Sequence, residues 1–103
     1  MDINVYDRSH ELDPSLRDLA IKKVQALARH FAFAHSASVE FATDLKKRSR
    51  PLHTAKVTFF LLGHRLPSVR AHASAPEARA AFDLALGKLD AEMTRLKEQV
   101  ESH

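Results

Sequence analysis

From Val69 to Val100 the sequence specifies a short strand, a break and one long amphipathic helix, and the rest of the chain has to supply what that helix covers. Ala78, Phe82, Ala85, Leu89, Met93, Leu96 and Val100 recur every three or four residues, which lays one apolar stripe along a helix. Val69 to Ala73 reads as the strand and Ser74-Ala75-Pro76-Glu77 as the break. Ser74 and Glu77 have the spacing of a capping box, and Pro76 suits a first helical turn, where its missing N–H costs nothing. A stripe of this length calls for a sheet and a second helix beneath it.

The upstream sequence supplies both. Ile3 and Val5 alternate with Asp2, Asn4 and Tyr6, the period of a half-buried strand. Asp13-Pro14 signals a helix start, with Asp as N-cap and Pro at the first helical position. Leu16, Ala20, Val24, Leu27 and Phe31 form that helix's apolar stripe, which predicts an end near His30 or Phe31, before the small residues from Ala32 to Ser36. A second strand follows around Val39 and Phe41. Lys46-Lys47-Arg48-Ser49-Arg50-Pro51 reads as a solvated hairpin loop. A third strand alternates Ala55, Val57, Phe59 and Leu61 with Lys56, Thr58, Phe60 and Leu62. Gly63-His64 marks a turn, and Pro67 makes the fourth strand late-starting or an edge strand.

The order is β-α-β-β-β-α, an α+β fold with a four-stranded mixed sheet. A right-handed crossover sets the first two strands parallel, and short links make the later neighbours antiparallel. Both helices then cover one face and leave the other open. Gly87, inside the long helix, costs about 1 kcal/mol relative to alanine, which close packing would explain.

A chain of 103 residues is one domain able to bury roughly 65% of its unfolded surface without a metal or disulfide staple. Cysteine is absent, which removes disulfides, thiol catalysis and thiolate metal sites and fits a reducing cytoplasm. No apolar run reaches the length of a membrane span, and the polar start is not a signal peptide. Charge is uneven: residues 1–75 carry twelve Lys/Arg against seven Asp/Glu, and residues 76–103 four against six. The positive potential belongs to the first three quarters.

Enzyme chemistry finds little support. The seven histidines are scattered, with no HExxH or His-x-His pair, so no metal or cofactor is expected. Gly-rich phosphate loops and a G-x-S-x-G elbow are absent. Asp90 and Glu92 on one helix do not face each other. The polar signal that stands out is Lys46, Lys47, Arg48 and Arg50, either a solubilising loop or a phosphate contact supported by Lys22, Lys23, Arg29, Lys56, Arg65 and Arg70. Tyr6 and Phe60 on the open face suit base stacking and suit a weak homodimer contact, with Leu62, equally well.

The chain resembles the ribosome hibernation-promoting factors and ribosome-associated inhibitors, also called sigma-54 modulation proteins, in their short form. The resemblance rests on the opening strand, Glu11-Leu12-Asp13-Pro14-Ser15-Leu16-Arg17 at the helix entry, Phe31, Ala71-His72-Ala73-Ser74-Ala75 in the last strand, and Ala80-Ala81-Phe82-Asp83 followed by Lys88-Leu89. It implies a non-enzymatic protein that binds the small ribosomal subunit between head and body, over the decoding region, and holds the ribosome inactive under stress or in stationary phase. It also implies that basic side chains on the second helix touch ribosomal RNA phosphates. Lys88, Arg95 and Lys97 match such positions, and Lys22 and Lys23 match the polar face of the first helix. The short form lacks a dimerisation module, so the chain is not expected to pair two ribosomes by itself.

Departures from the family pattern keep other readings open. Glu77-Ala78-Arg79 stand where an Asp-Met-Tyr type sequence is usual, and Ala91, Gln99 and Glu101 stand where the family often has Lys or Arg. The final helix is thereby net acidic, which leaves room for a protein-interaction module that no longer binds ribosomes. A double-stranded RNA binder shares the last α-β-β-β-α elements but needs lysines at the start of its final helix, and Ser74 to Glu77 has none.

Overall fold

The computed structural model describes residues 1–9, 12–44 and 51–101. Its elements are β1 (Asp2–Asp7), α1 (Pro14–Ala28), β2 (Ala34–Asp44), β3 (Leu52–Leu61), β4 (Ser68–Ala75) and α2 (Ala78–Glu101). They form one sheet of order β1-β2-β3-β4. β1 and β2 are parallel, joined by α1, and the other two pairs are antiparallel. This is the β-α-β-β-β-α mixed sheet with two helices that the sequence predicts.

Alternation in each strand sends one set of side chains to the helices. Val5, Ala37, Val39, Phe41, Ala55, Val57, Phe59, Ala71, Ala73 and Ala75 are buried there. α1 contributes Ala20 and Val24, and α2 contributes Ala81, Phe82, Ala85, Leu89 and Met93. Each fully buried large side chain contributes about 1.5–3 kcal/mol. β4 turns partly buried Val69 and the buried Ala71, Ala73 and Ala75 to the core, and the short alanine side chains let the long stripe of α2 lie directly on β4 and β3. Phe82 reaches the Phe41 ring, with centroids 6.0 Å apart. No helix among the described residues is long and apolar enough to cross a membrane.

Local chemistry fixes the entry to α1. Asp7 accepts from the Ser9 N–H at 2.8 Å and the Leu12 N–H at 2.9 Å, bending the chain off β1. Asp13 caps α1 by accepting from the Ser15 N–H at 2.9 Å, with Pro14 in the first turn. Hydrogen bonds from Ser15 hold the Asp13 carboxyl below its usual range.

Several local expectations need correction. α1 ends at Ala28, short of His30, because the Phe31 N–H turns back to the Ala28 carbonyl and sends the Phe31 ring into the core. β2 starts at Ala34, inside the small-residue stretch, where its ladder to β3 shifts register between Ala34 and Ser36. Ser74 is not a helix cap: β4 continues to Ala75, Ser74 pairs with Thr54, and their hydroxyls lie 3.0 Å apart. Pro76 precedes the helix, and the first carbonyl used by α2 is that of Glu77, bonded to the Ala81 N–H at 3.0 Å. Gly87 is not a point of close packing, since a Cβ there would meet nothing within 4 Å.

Pro67 acts as the sequence suggests. It lies just before β4, and its carbonyl accepts from the Leu61 N–H at 2.9 Å. Gly63 takes φ 73° in the β3–β4 turn, a conformation that costs little only without a Cβ. His64, in the same turn, stacks on Phe33 of the α1–β2 link, with ring centroids 5.7 Å apart.

Candidate nucleic-acid interface

The basic residues singled out from the sequence fall into separate groups. Lys46, Lys47, Arg48 and Arg50 lie outside the described residues. Lys88, Arg95 and Lys97 all project from α2, yet they do not share a side of it. Lys88 and Arg95 are two turns apart, about 20° in azimuth, while Lys97 is about 180° from Lys88. Their contacts agree with that placement. Lys88 Nζ donates to the His72 carbonyl on β4 at 3.2 Å. Lys97 Nζ donates to the His30 carbonyl just beyond α1 at 3.3 Å.

Arg95 pairs with Glu92 on its own helix. Lys23 crosses the seam between the helices to Asp83, at 2.8 Å. Asp83 also meets Arg79, at 4.0 Å. Lys22 is exposed on α1 and has no ion-pair partner among the described residues. The helical side therefore carries Lys88 and Arg95 on the β4 flank, Lys23 and Lys97 along the α1–α2 seam, and Lys22 outside them. All these contacts are at the surface, where an ion pair contributes at most about 1 kcal/mol. A phosphate can recruit the same ammonium or guanidinium groups at small cost.

The open face of the sheet is polar. Register aligns Asp2, Ser36, Phe60 and Ser68 in one row, Asn4, Ser38, Thr58 and Arg70 in the next, and Tyr6, Glu40, Lys56 and His72 in the third. Tyr6 and Phe60 are both exposed, but two rows and an intervening strand separate them, so they do not form one apolar patch. Leu62 lies past the end of β3.

Arg8 was not singled out from the sequence. It follows β1, with its N–H bonded to the Phe41 carbonyl at 2.9 Å, and its guanidinium meets Glu40 Oε1 at 2.9 Å. Lys56 Nζ meets Glu40 Oε2 at 2.9 Å. The hydrogen bond from Lys56, aided by the Arg8 charge, holds the Glu40 carboxyl below its usual range against the opposing effect of partial burial. Continuing the alternation Asp2, Asn4, Tyr6 by one more step places Arg8 on the open face. That signal was available, but its carboxylate partner is 32 residues away, out of reach of local pattern.

No cluster of three or more His, Cys, Asp or Glu side chains suited to a metal ion occurs among the described residues. The same fold is found in a ribosomal subunit interface protein from Coxiella burnetii, at 18% sequence identity and TM-score 0.78, covering 95% of this chain and 99% of that one. The Thermus thermophilus Protein Y N-terminal domain matches at 23% identity and TM-score 0.69, covering 93% of this chain and 99% of that one. These are likenesses of fold. No curated protein sequence matches. Residues 3–101 match the family model described as sigma 54 modulation protein / S30EA ribosomal protein, and the chain belongs to that family.

Proposed function

We propose that this protein is a ribosome-associated hibernation factor that binds ribosomal RNA of the small subunit near the decoding channel and holds translation inactive under stress. The observation that carries the reading is the family match across residues 3–101. The subunit-interface name of the Coxiella relative agrees with it. The helical side supports it chemically, because Lys22, Lys88, Arg95 and Lys97 are exposed cations with at most weak surface contacts. Phosphate contacts of this kind supply affinity and salt dependence without sequence choice. The protein acts in the cytoplasm by occupying the channel, not by catalysis, and needs no metal or cofactor.

Co-sedimentation of the purified chain with isolated small subunits, at low and then raised salt, tests this. Binding that falls steeply with salt is expected. Changing Lys46, Lys47, Arg48 and Arg50 together to Ala measures that segment's share, and changing Lys88, Arg95 and Lys97 together measures the share of α2. No association even at low salt would overturn the reading.

A further inference from the structure

The open face carries cations and an aromatic ring that the helical-side reading leaves unused. Glu40 lies between two of the cations, one carboxylate oxygen on Arg8 and the other on Lys56. A single negative group thus orients two positive ones, and the cluster remains positive. His72 stands next to Lys56 in the same row. Arg70 lies one row away with no ion-pair partner among the described residues.

Two shallow depressions meet at Arg8 and Glu40. One includes Ala42, Thr54, Lys56 and His72. Ala42 and Thr54 are cross-strand partners with short side chains, so the longer cationic groups stand above them. The other depression runs along Tyr6 and Ser38. Tyr6 is 53% exposed, and its strand neighbour in the row is Glu40. A place for an anion therefore adjoins a free aromatic surface.

An anionic group joined to a flat ring is the chemistry of a nucleotide. Stacking on an exposed ring of the sheet requires an unpaired base, because a duplex keeps its base faces covered. A second copy of the chain fits less well, because the same net-positive patch would face itself, and like-charged surfaces oppose association.

We propose that the open sheet face binds single-stranded RNA, with an unpaired base on Tyr6 and its phosphate held by Arg8, Lys56 and His72. The site lies on the face opposite the helices and stands apart from the helical-side reading of the ribosome. Glu40 acts as a positioning residue that keeps Arg8 and Lys56 together.

The chain contains a single tyrosine and no tryptophan, so its intrinsic emission reports on Tyr6 alone. The test titrates the whole protein with a short labelled oligouridine at low salt, following anisotropy of the label and tyrosine emission together. Quenching in step with binding is expected. Tyr6→Ala should weaken binding about tenfold, while Tyr6→Phe, which keeps the ring, should bind nearly as the parent does. Changing Arg8 and Lys56 to Ala should weaken binding and lower the salt slope by about 0.7 per lost contact.

Lys22→Ala serves as the control for the other face. It should lower small-subunit binding and leave the quenching of Tyr6 emission by oligouridine in place, so the two readings fail separately. The proposal is overturned if oligouridine does not bind, or if it binds with tyrosine emission unchanged. It is equally overturned if Tyr6→Ala and the Arg8/Lys56 variant bind like the parent, or if Tyr6→Ala only dissociates a dimer.

Discussion

Lys88 Nζ on α2 bonds the main-chain carbonyl of His72 at 3.2 Å, across the outer edge of β4. The Pro67 carbonyl points to β3, so strand alternation turns the carbonyls of residues 68, 70, 72 and 74 outward. An unpaired strand edge invites pairing with another chain, and a lysine there opposes it. Lys88 thus covers part of the sheet edge while its side chain stays exposed to solvent.

Lys88→Ala should therefore cost less than about 1 kcal/mol of stability, as an exposed contact does. It should lower the salt slope of small-subunit binding by about one unit. Urea unfolding and salt-dependent co-sedimentation check the two parts. A large loss of stability with unchanged subunit binding would make Lys88 purely structural.

Gly87→Ala should stabilise the protein by about 0.5–1 kcal/mol, because α2 is helical there and a Cβ meets nothing. That corresponds to a rise in Tm of a few degrees for a domain of this size. Gly63→Ala should do the reverse, since φ 73° strains any residue with a Cβ. Thermal unfolding of the two variants side by side checks both signs.

Asp83→Asn removes the partner of Lys23, which lies 2.8 Å away. Both side chains are more than a third exposed, so the stability change should stay below about 1 kcal/mol. The freed lysine and the lost negative charge should together raise small-subunit affinity at low salt. Unchanged or weaker binding would mean that phosphate does not approach the seam between α1 and α2.

Glu40 supplies a pH dependence whose sign follows from its lowered pKa. The folded protein holds this carboxyl ionised to lower pH than the unfolded chain does, so its contribution is fully present above the usual value of 4.5. It is lost as the pH falls through the lower folded value. Glu40→Gln should flatten that acid limb in urea midpoints measured between neutral and acid pH. The same variant should leave the dependence arising from Asp13, which has the same direction. An unchanged acid limb would remove Glu40 from the account.

Much of the fold was legible because its signals are local. The two-residue period of Ile3 and Val5, or of Val57 and Phe59, and the three-to-four-residue period from Phe82 to Met93 each specify an element and its buried side. Asp13-Pro14 marks the start of α1 by a bond between near neighbours. Order and the short links from β2 to β4 then leave few topologies.

Element ends were less legible, because tertiary pairing competes with local preference. Ser74 and Glu77 have capping spacing, but Thr54 claims Ser74 for the sheet. The Phe31 ring leaves the helical stripe to fill the core.

The sequence by itself determined the elements, their order and the buried faces, since periodicity depends on neighbours along the chain. Only the tertiary structure decided how the cations are grouped. Lys88 and Lys97 stand on opposite flanks of one helix, bonded to different elements. Arg8, Glu40 and Lys56 come together only through the register of three strands. A charge's partner is set by distance in space, and no local pattern encodes that distance.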